Sequence, residues 1–174
     1  MTRVLSALDA DFPAAIAVVQ HLDPRHRSLM AELLSRQSRL PVKQAEDGDR
    51  LKSGSVYVAP PDRHLLVNDD GTLSLSKTEL VHFLRPSAEL LFESVAASFK
   101  DRAIAVVLTG TGNDGARGLQ AIKKMGGTVV SQDEGTSEFF GMPSAAIQTG
   151  LVDFVLPLPE IASALMTLVC GDAR

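Results

Sequence analysis

His21 stands directly after the apolar run 14–20 (AAIAVVQ), in the segment Gln20-His21-Leu22-Asp23-Pro24. Ligands of parallel α/β sheets gather beyond the carboxyl ends of the strands. An imidazole at that place can serve as general base or acid near neutral pH. A histidine that only closes a strand and bonds a backbone group reads the same way. The second such place is Thr109-Gly110-Thr111-Gly112-Asn113-Asp114-Gly115, directly after AIAVVL. Its glycines permit a tight turn and a close backbone approach. Asp114 falls near a helix start, where a carboxylate is held ionised. Facing a histidine, it would set the tautomer and stabilise the imidazolium, as in a Ser-His-Asp triad. An ordinary strand-to-helix turn with an acidic first residue fits these residues equally well.

The same loop carries a competing reading. Gly110, Gly112 and Gly115 satisfy G-x-G-x-x-G between a strand and a helix, and Asp133 follows about 20 residues on, the outline of a dinucleotide-binding fingerprint. Against it, Asn113-Asp114 places a carboxylate where pyrophosphate would approach the helix. Arg85, in Arg85-Pro86-Ser87, could offer a guanidinium to a carboxylate-rich partner, or could be a solvated arginine beside a helix cap. Arg25, His26 and Arg27 form a small basic cluster of the kind that is usually solvated surface. Gly141-Met142-Pro143 reads as a loop lining a crevice, and the preceding Phe139-Phe140 as core packing.

The elements that must position these groups are legible from apolar periodicity. Residues 14–20, 55–59, 103–108, 128–131 and 152–156 read as buried strands. Leu65 to Val67 and Thr72 to Ser76 flank Asn68-Asp69-Asp70-Gly71 as a hairpin. Helices are expected over residues 28–37, with Leu29, Leu33 and Leu34 apolar; from an N-cap at Ser87 to about Phe99; from about Asp114 to Met125, ended by Gly126-Gly127; and from Pro159 onward, with Ile161, Leu165 and Leu168 as its stripe. The alternation predicts an α/β fold: a doubly wound, mostly parallel sheet with helices on both faces and one β-hairpin. Val4, Leu5 and Leu8 read as the end of a helix with no strand before it, so a first strand is expected to be missing.

Length and composition fit one globular domain: 174 residues, 45% hydrophobic and 22% charged. The single cysteine, Cys170, excludes an intramolecular disulfide and fits a reducing compartment. The four histidines are scattered, which argues against a zinc site, and no cofactor is expected. A net charge of −4 gives no electrostatic footprint for nucleic acid. No apolar run is long enough to span a bilayer, and no signal segment opens the chain, so a cytoplasmic protein is expected.

Five ordered segments, VVQHLDPRHRSLMAELL, VYVAPPDRHLLV, LRPSAELLFESVA, VVLTGTGNDGARGL and SQDEGTSEFFGMPSAAI, resemble the catalytic domain of the CheB-type protein-glutamate methylesterases from about Val4 to Leu168. The resemblance implies a doubly wound α/β domain that hydrolyses glutamate methyl esters on chemoreceptor cytoplasmic helices, with glutamine deamidation in many members. It assigns His21 and Asp114 to the triad, and Thr109, Gly110, Thr111, Gly112 and Met142 to the substrate crevice. Arg85 and the Arg25–Arg27 cluster become candidate contacts for an acidic receptor surface. It also implies a nucleophilic serine on a Gly-Ala-Ser-x-Gly-Gly-like turn after a first, inner strand, and no serine here matches it. Ser6 lies one to two helical turns too late. Loss of a triad nucleophile costs about six decades of rate, so residues 1–174 alone are expected to be inactive. A start site placed too far downstream is favoured over a non-catalytic, receptor-binding remnant, because both triad partners stand intact. A regulatory receiver domain, or a methyltransferase domain, is expected upstream or in another chain.

Overall fold

A computed structural model describes residues 1–21, 28–81 and 84–171. Two three-stranded parallel sheets carry the fold. In the first, β1 (Ile16–Val18) and β2 (Val42–Gln44) flank β3 (Val56–Val58), with Ile16 and Val42 both in register with Val56. In the second, β6 (Ile104–Val107) and β8 (Phe154–Leu156) flank β7 (Thr128–Gln132). Between them in sequence lies the antiparallel hairpin β4 (His64–Val67) and β5 (Leu73–Ser76), turned at Gly71, whose φ of 78° suits glycine. Among the described residues, neither β1 nor β6 has a strand partner on its second side.

Strand alternation explains how helices cover both faces. Side chains of successive strand residues point to opposite sides. Ile104, Val106 and Leu108 therefore join Val18, Val56, Val58 and Val130 in one core with α1 (Thr2–Ala7) and α6 (Leu158–Gly171). Ala103, Ala105, Val107 and Val129 face the other way, against α3 (Ala88–Phe99), α4 (Gly118–Lys124) and α5 (Gly141–Gln148). Tyr57 and Ala59 point to a third cluster with Leu65, Leu73 and Leu91, which seats the hairpin on α3. The first core is shared by both parallel sheets and is bridged by α1 packed on α6. This is the α/β architecture expected from the sequence.

Several expectations change in detail. The helix placed at 28–37 is shorter, α2 (Met30–Ser35), and only Leu34 of the three leucines is buried; Leu29 and Leu33 are exposed. Met30 and Ala31 pack inward instead. β2 adds a strand to those expected from the sequence: VKQ has one apolar residue and lies at a sheet edge, where burial does not demand more. Residues 141–143 open helix α5 rather than forming a loop, and Phe139 is exposed rather than core. Proline is compatible with a first helical turn, whose N–H groups lack partners in any case. The helix placed at Asp114 begins at Gly118, with turns over residues 114–117.

Candidate functional site

The carboxyl ends of β1 and β6 deliver the two residues most able to do chemistry. His21 follows β1 and Asp114 follows β6, and His21 Nε2 lies 2.9 Å from Asp114 Oδ2. The Asp114 side chain is fully buried, and the imidazole keeps 28% of its exposure. A buried carboxylate requires compensating donors. Asp114 receives them from the start of α3: Ser87 Oγ donates to Oδ1 at 2.8 Å, Ala88 N to Oδ2 at 2.6 Å, and Glu89 N to Oδ1 at 3.4 Å. Burial by itself would raise the Asp114 pKa. The bonds from His21, Ala88 and Ser87 outweigh it and hold the carboxyl below the ordinary carboxylate range.

That charge state decides the tautomer of His21. An ionised carboxylate only accepts, so in the neutral imidazole the proton sits on Nε2 and the lone pair on Nδ1. Among the described residues no group hydrogen-bonds Nδ1 and no hydroxyl bonds His21 at all. Ser6, inside α1, donates to the Arg3 carbonyl.

Close backbone contact explains why Asp114 reaches α3. A Cβ on Gly118 would lie 2.8 Å from the Glu89 carbonyl oxygen, and one on Gly115 3.0 Å from the Phe92 ring. Gly115 also has a φ of 89°. These glycines let α4 and the turn before it lie directly on α3. Gly115, the last glycine of the G-x-G-x-x-G pattern, is thereby accounted for by packing, and the helix N-terminus nearest Asp114, that of α3, is already occupied by its carboxylate. The dinucleotide reading is not favoured.

The rest of the loop is stitched to the segment before α5. Gly110 N donates to the Phe139 carbonyl at 2.9 Å, and Met142 N to the Gly110 carbonyl at 2.8 Å. Thr109 Oγ1 both donates to the Phe139 carbonyl and accepts from Phe139 N. A Cβ on Gly110 would fall 2.6 Å from Met142 Sδ. Thr109, Gly110 and Met142 are therefore brought together, while Thr111 and Gly112 stay exposed beside Asp114, with Gly112 at a φ of 85°. Arg85 is engaged elsewhere: its Nη2 lies 2.6 Å from Asp62 Oδ1, and Nη1 donates to the Lys77 and Thr78 carbonyls. The cluster Arg25, His26 and Arg27 lies outside the described residues.

Two supporting residues escaped the sequence reading. Ser87 was recognisable only as a helix cap; its bond to Asp114 spans 27 residues. Gln132, fully buried, accepts from Thr109 N at 2.9 Å and donates to the Thr136 carbonyl at 2.7 Å. It ends β7, and that place at a strand carboxyl end is the sequence signal that points to it.

Residues 1–165 match the family profile described as CheB methylesterase. The chain is 42% identical over 168 residues to a putative protein-glutamate methylesterase/protein-glutamine glutaminase of Leptospira interrogans, covering 97% of this chain and 87% of that protein. It is 41% identical to a protein-glutamate methylesterase/protein-glutamine glutaminase of Moorella thermoacetica, covering 98% of this chain and 41% of the relative. A relative from Anaeromyxobacter dehalogenans is 46% identical and covered over 49% of its length, so the chain spans about half or less of these two. The crystal structure of the Thermotoga maritima CheB methylesterase catalytic domain superposes with a TM-score of 0.92 at 39% identity, over 96% of this chain and 90% of that one. Profile, relatives and fold agree, and the chain belongs to the CheB methylesterase family.

Proposed function

We propose that this chain is the catalytic part of a cytoplasmic protein-glutamate methylesterase, which hydrolyses a γ-methyl ester on a chemoreceptor helix and deamidates glutamine by the same acyl chemistry. The observation that carries this reading is the 2.9 Å bond between His21 Nε2 and a buried, ionised Asp114. Asp114 fixes the tautomer and stabilises the imidazolium; Nδ1 of His21 is the base that takes the proton of a serine hydroxyl. The serine attacks the ester carbonyl, methanol leaves with the proton returned by His21, and water releases the glutamate by the same route in reverse. Thr109, Gly110, Thr111, Gly112 and Met142 line the crevice that seats the ester. Arg85 reaches an acidic receptor surface only by exchanging Asp62 for it. The reading requires a serine hydroxyl at Nδ1, which no described residue supplies, and takes a receiver or methyltransferase domain, upstream or in another chain, as its control.

The test is methanol release from a methylated receptor, measured for residues 1–174 and for the polypeptide extended through the DNA upstream. The extended chain should release methanol, and His21→Gln or Asp114→Asn should abolish it. Receptor binding without methanol release by the extended chain would instead identify a non-catalytic receptor-binding module.

A further inference from the structure

We infer that Ser87 is a positioning residue for the His21–Asp114 pair, its hydroxyl locking the rotation of the Asp114 carboxylate so that Oδ2 faces His21 Nε2. The inference deepens the reading of His21 as base and Asp114 as its orienting carboxylate, and rests on it.

An N-cap serine needs only to accept a hydrogen bond from the helix backbone. Ser87 does so, taking Glu89 N at 3.2 Å. It has no exposure to solvent, so its own O–H must also find a partner, and that partner is Asp114 Oδ1 at 2.8 Å. The two carboxylate oxygens are thus addressed separately. Oδ2 receives Ala88 N at 2.6 Å and His21 Nε2 at 2.9 Å; Oδ1 receives Ser87 Oγ at 2.8 Å and Glu89 N at 3.4 Å. The torsion of a carboxylate about its Cβ–Cγ bond is broad and nearly two-fold. Bonds to one oxygen leave the plane free to twist, and a short bond to the other removes that freedom. Without the hydroxyl, Oδ1 keeps only the long bond from Glu89 N. The carboxylate can then tilt off the imidazole plane, and the preference for a proton on Nε2 weakens.

The ring nitrogens of His21 report this directly. In 15N spectra of the 174-residue chain, at a pH well above the ordinary imidazole range, His21 should show one protonated nitrogen, Nε2, and one bare nitrogen, Nδ1. His21→Gln assigns the signals. Glycine nearly equals serine as an N-cap but has no hydroxyl, so Ser87→Gly keeps the helix while removing the donor. The expected result is a fold unchanged by circular dichroism and averaged His21 nitrogen signals from exchanging tautomers. Ser87→Ala should average them too. Ser98→Ala, which removes another α3 hydroxyl that bonds the Val67 carbonyl, should leave them separate. Separate signals in both Ser87 variants would reduce Ser87 to a cap and overturn the inference; averaging in Ser98→Ala would overturn it as well, by tying the tautomer to helix stability. A bare Nε2 in the unsubstituted chain would fail the reading of the pair itself.

Discussion

Gly118 and Glu89 lie in backbone contact: a Cβ on the glycine would sit 2.8 Å from the Glu89 carbonyl oxygen and 2.9 Å from Phe92 Cβ. The obstructing atoms belong to helix α3 and its side-chain root, and neither can swing aside as a long side chain would. Gly118→Ala should therefore destabilise the chain by about 1–3 kcal/mol, the usual cost of overpacking a close contact. Urea unfolding monitored by circular dichroism checks this. The same push separates α4 from α3, and so loosens the four contacts made by Asp114.

Asp114 makes stability depend on pH with a definite sign. Its folded-state pKa lies below the ordinary carboxyl value, so the unfolded chain takes up the proton first as pH falls. Its contribution is complete above about pH 4, the unfolded value, and disappears as pH drops through the folded value. Asp114→Asn removes the charge but not the shape. It should cost about 2–3 kcal/mol near neutrality, in the range of charge-assisted hydrogen bonds. The gap from the unsubstituted chain should close in acid. Unfolding at a series of pH values measures the gap; a gap independent of pH would refute the assignment.

Gly110 and Met142 test how the loop after β6 is fixed to α5. The atom that a Cβ on Gly110 would strike is the flexible Met142 sulfur, 2.6 Å away. Gly110→Ala alone should shift Met142 and destabilise the chain. Combined with Met142→Ala, it should cost less than the sum of the two changes, with a coupling of about 0.5–3 kcal/mol. A double-mutant cycle in urea reads this. Additivity would mean that the two residues do not meet.

Gln132 is the only side chain among the described residues that bonds Thr109 N and the Thr136 carbonyl together. Gln132→Leu fills the same space and leaves both backbone groups unpaired, at about 1–3 kcal/mol for each group that stays dry. Amide hydrogen exchange at Thr109 should accelerate more than exchange at Val106 in the middle of β6. Equal protection at both in the variant would show that Gln132 does not hold the loop.

Lys123 and Asp153 connect α4 to the start of β8. Lys123 Nζ lies 2.7 Å from Asp153 Oδ1, and Asp153 Oδ2 also accepts Val129 N at 2.8 Å. Burial opposes the charge on Asp153, and the bonds from Lys123 and Val129 outweigh it, holding its pKa below the ordinary range. The pair is partly solvated, so Lys123→Met should cost at most about 1 kcal/mol. Asp153→Ala should cost more, because it also leaves Val129 N without its partner. Thermal unfolding of the two variants orders these effects.

Local chemistry made much of this protein readable in advance. The runs AAIAVVQ, SVYVA and AIAVVL are mostly apolar and short, so each reads as a buried strand, and the position of His21 and Asp114 at strand ends follows from that. Ser87 announced the start of α3 because a serine before an Ala-Glu-Leu-Leu run satisfies helix N–H groups locally. The ordered motifs carried the family. Where the reading slipped, burial was decided from outside the segment: Leu29 and Leu33 have the same apolar character as Leu34, and only the neighbouring sheet determines which is covered. Helix α4 starts at Gly118 rather than Asp114 because Asp114 is drawn to the end of a different helix.

The pairing of His21 with Asp114, the delivery of the Ser87 hydroxyl to that carboxylate, and the engagement of Arg85 by Asp62 join residues 93, 27 and 23 positions apart. Residue type and local spacing determined which groups could do chemistry and on which elements they sit. Only the tertiary structure decided which of them meet, because a hydrogen bond between distant residues depends on how β1, β6 and α3 are packed, and that packing is set by the shared core and by backbone contacts at glycine, not by any one segment.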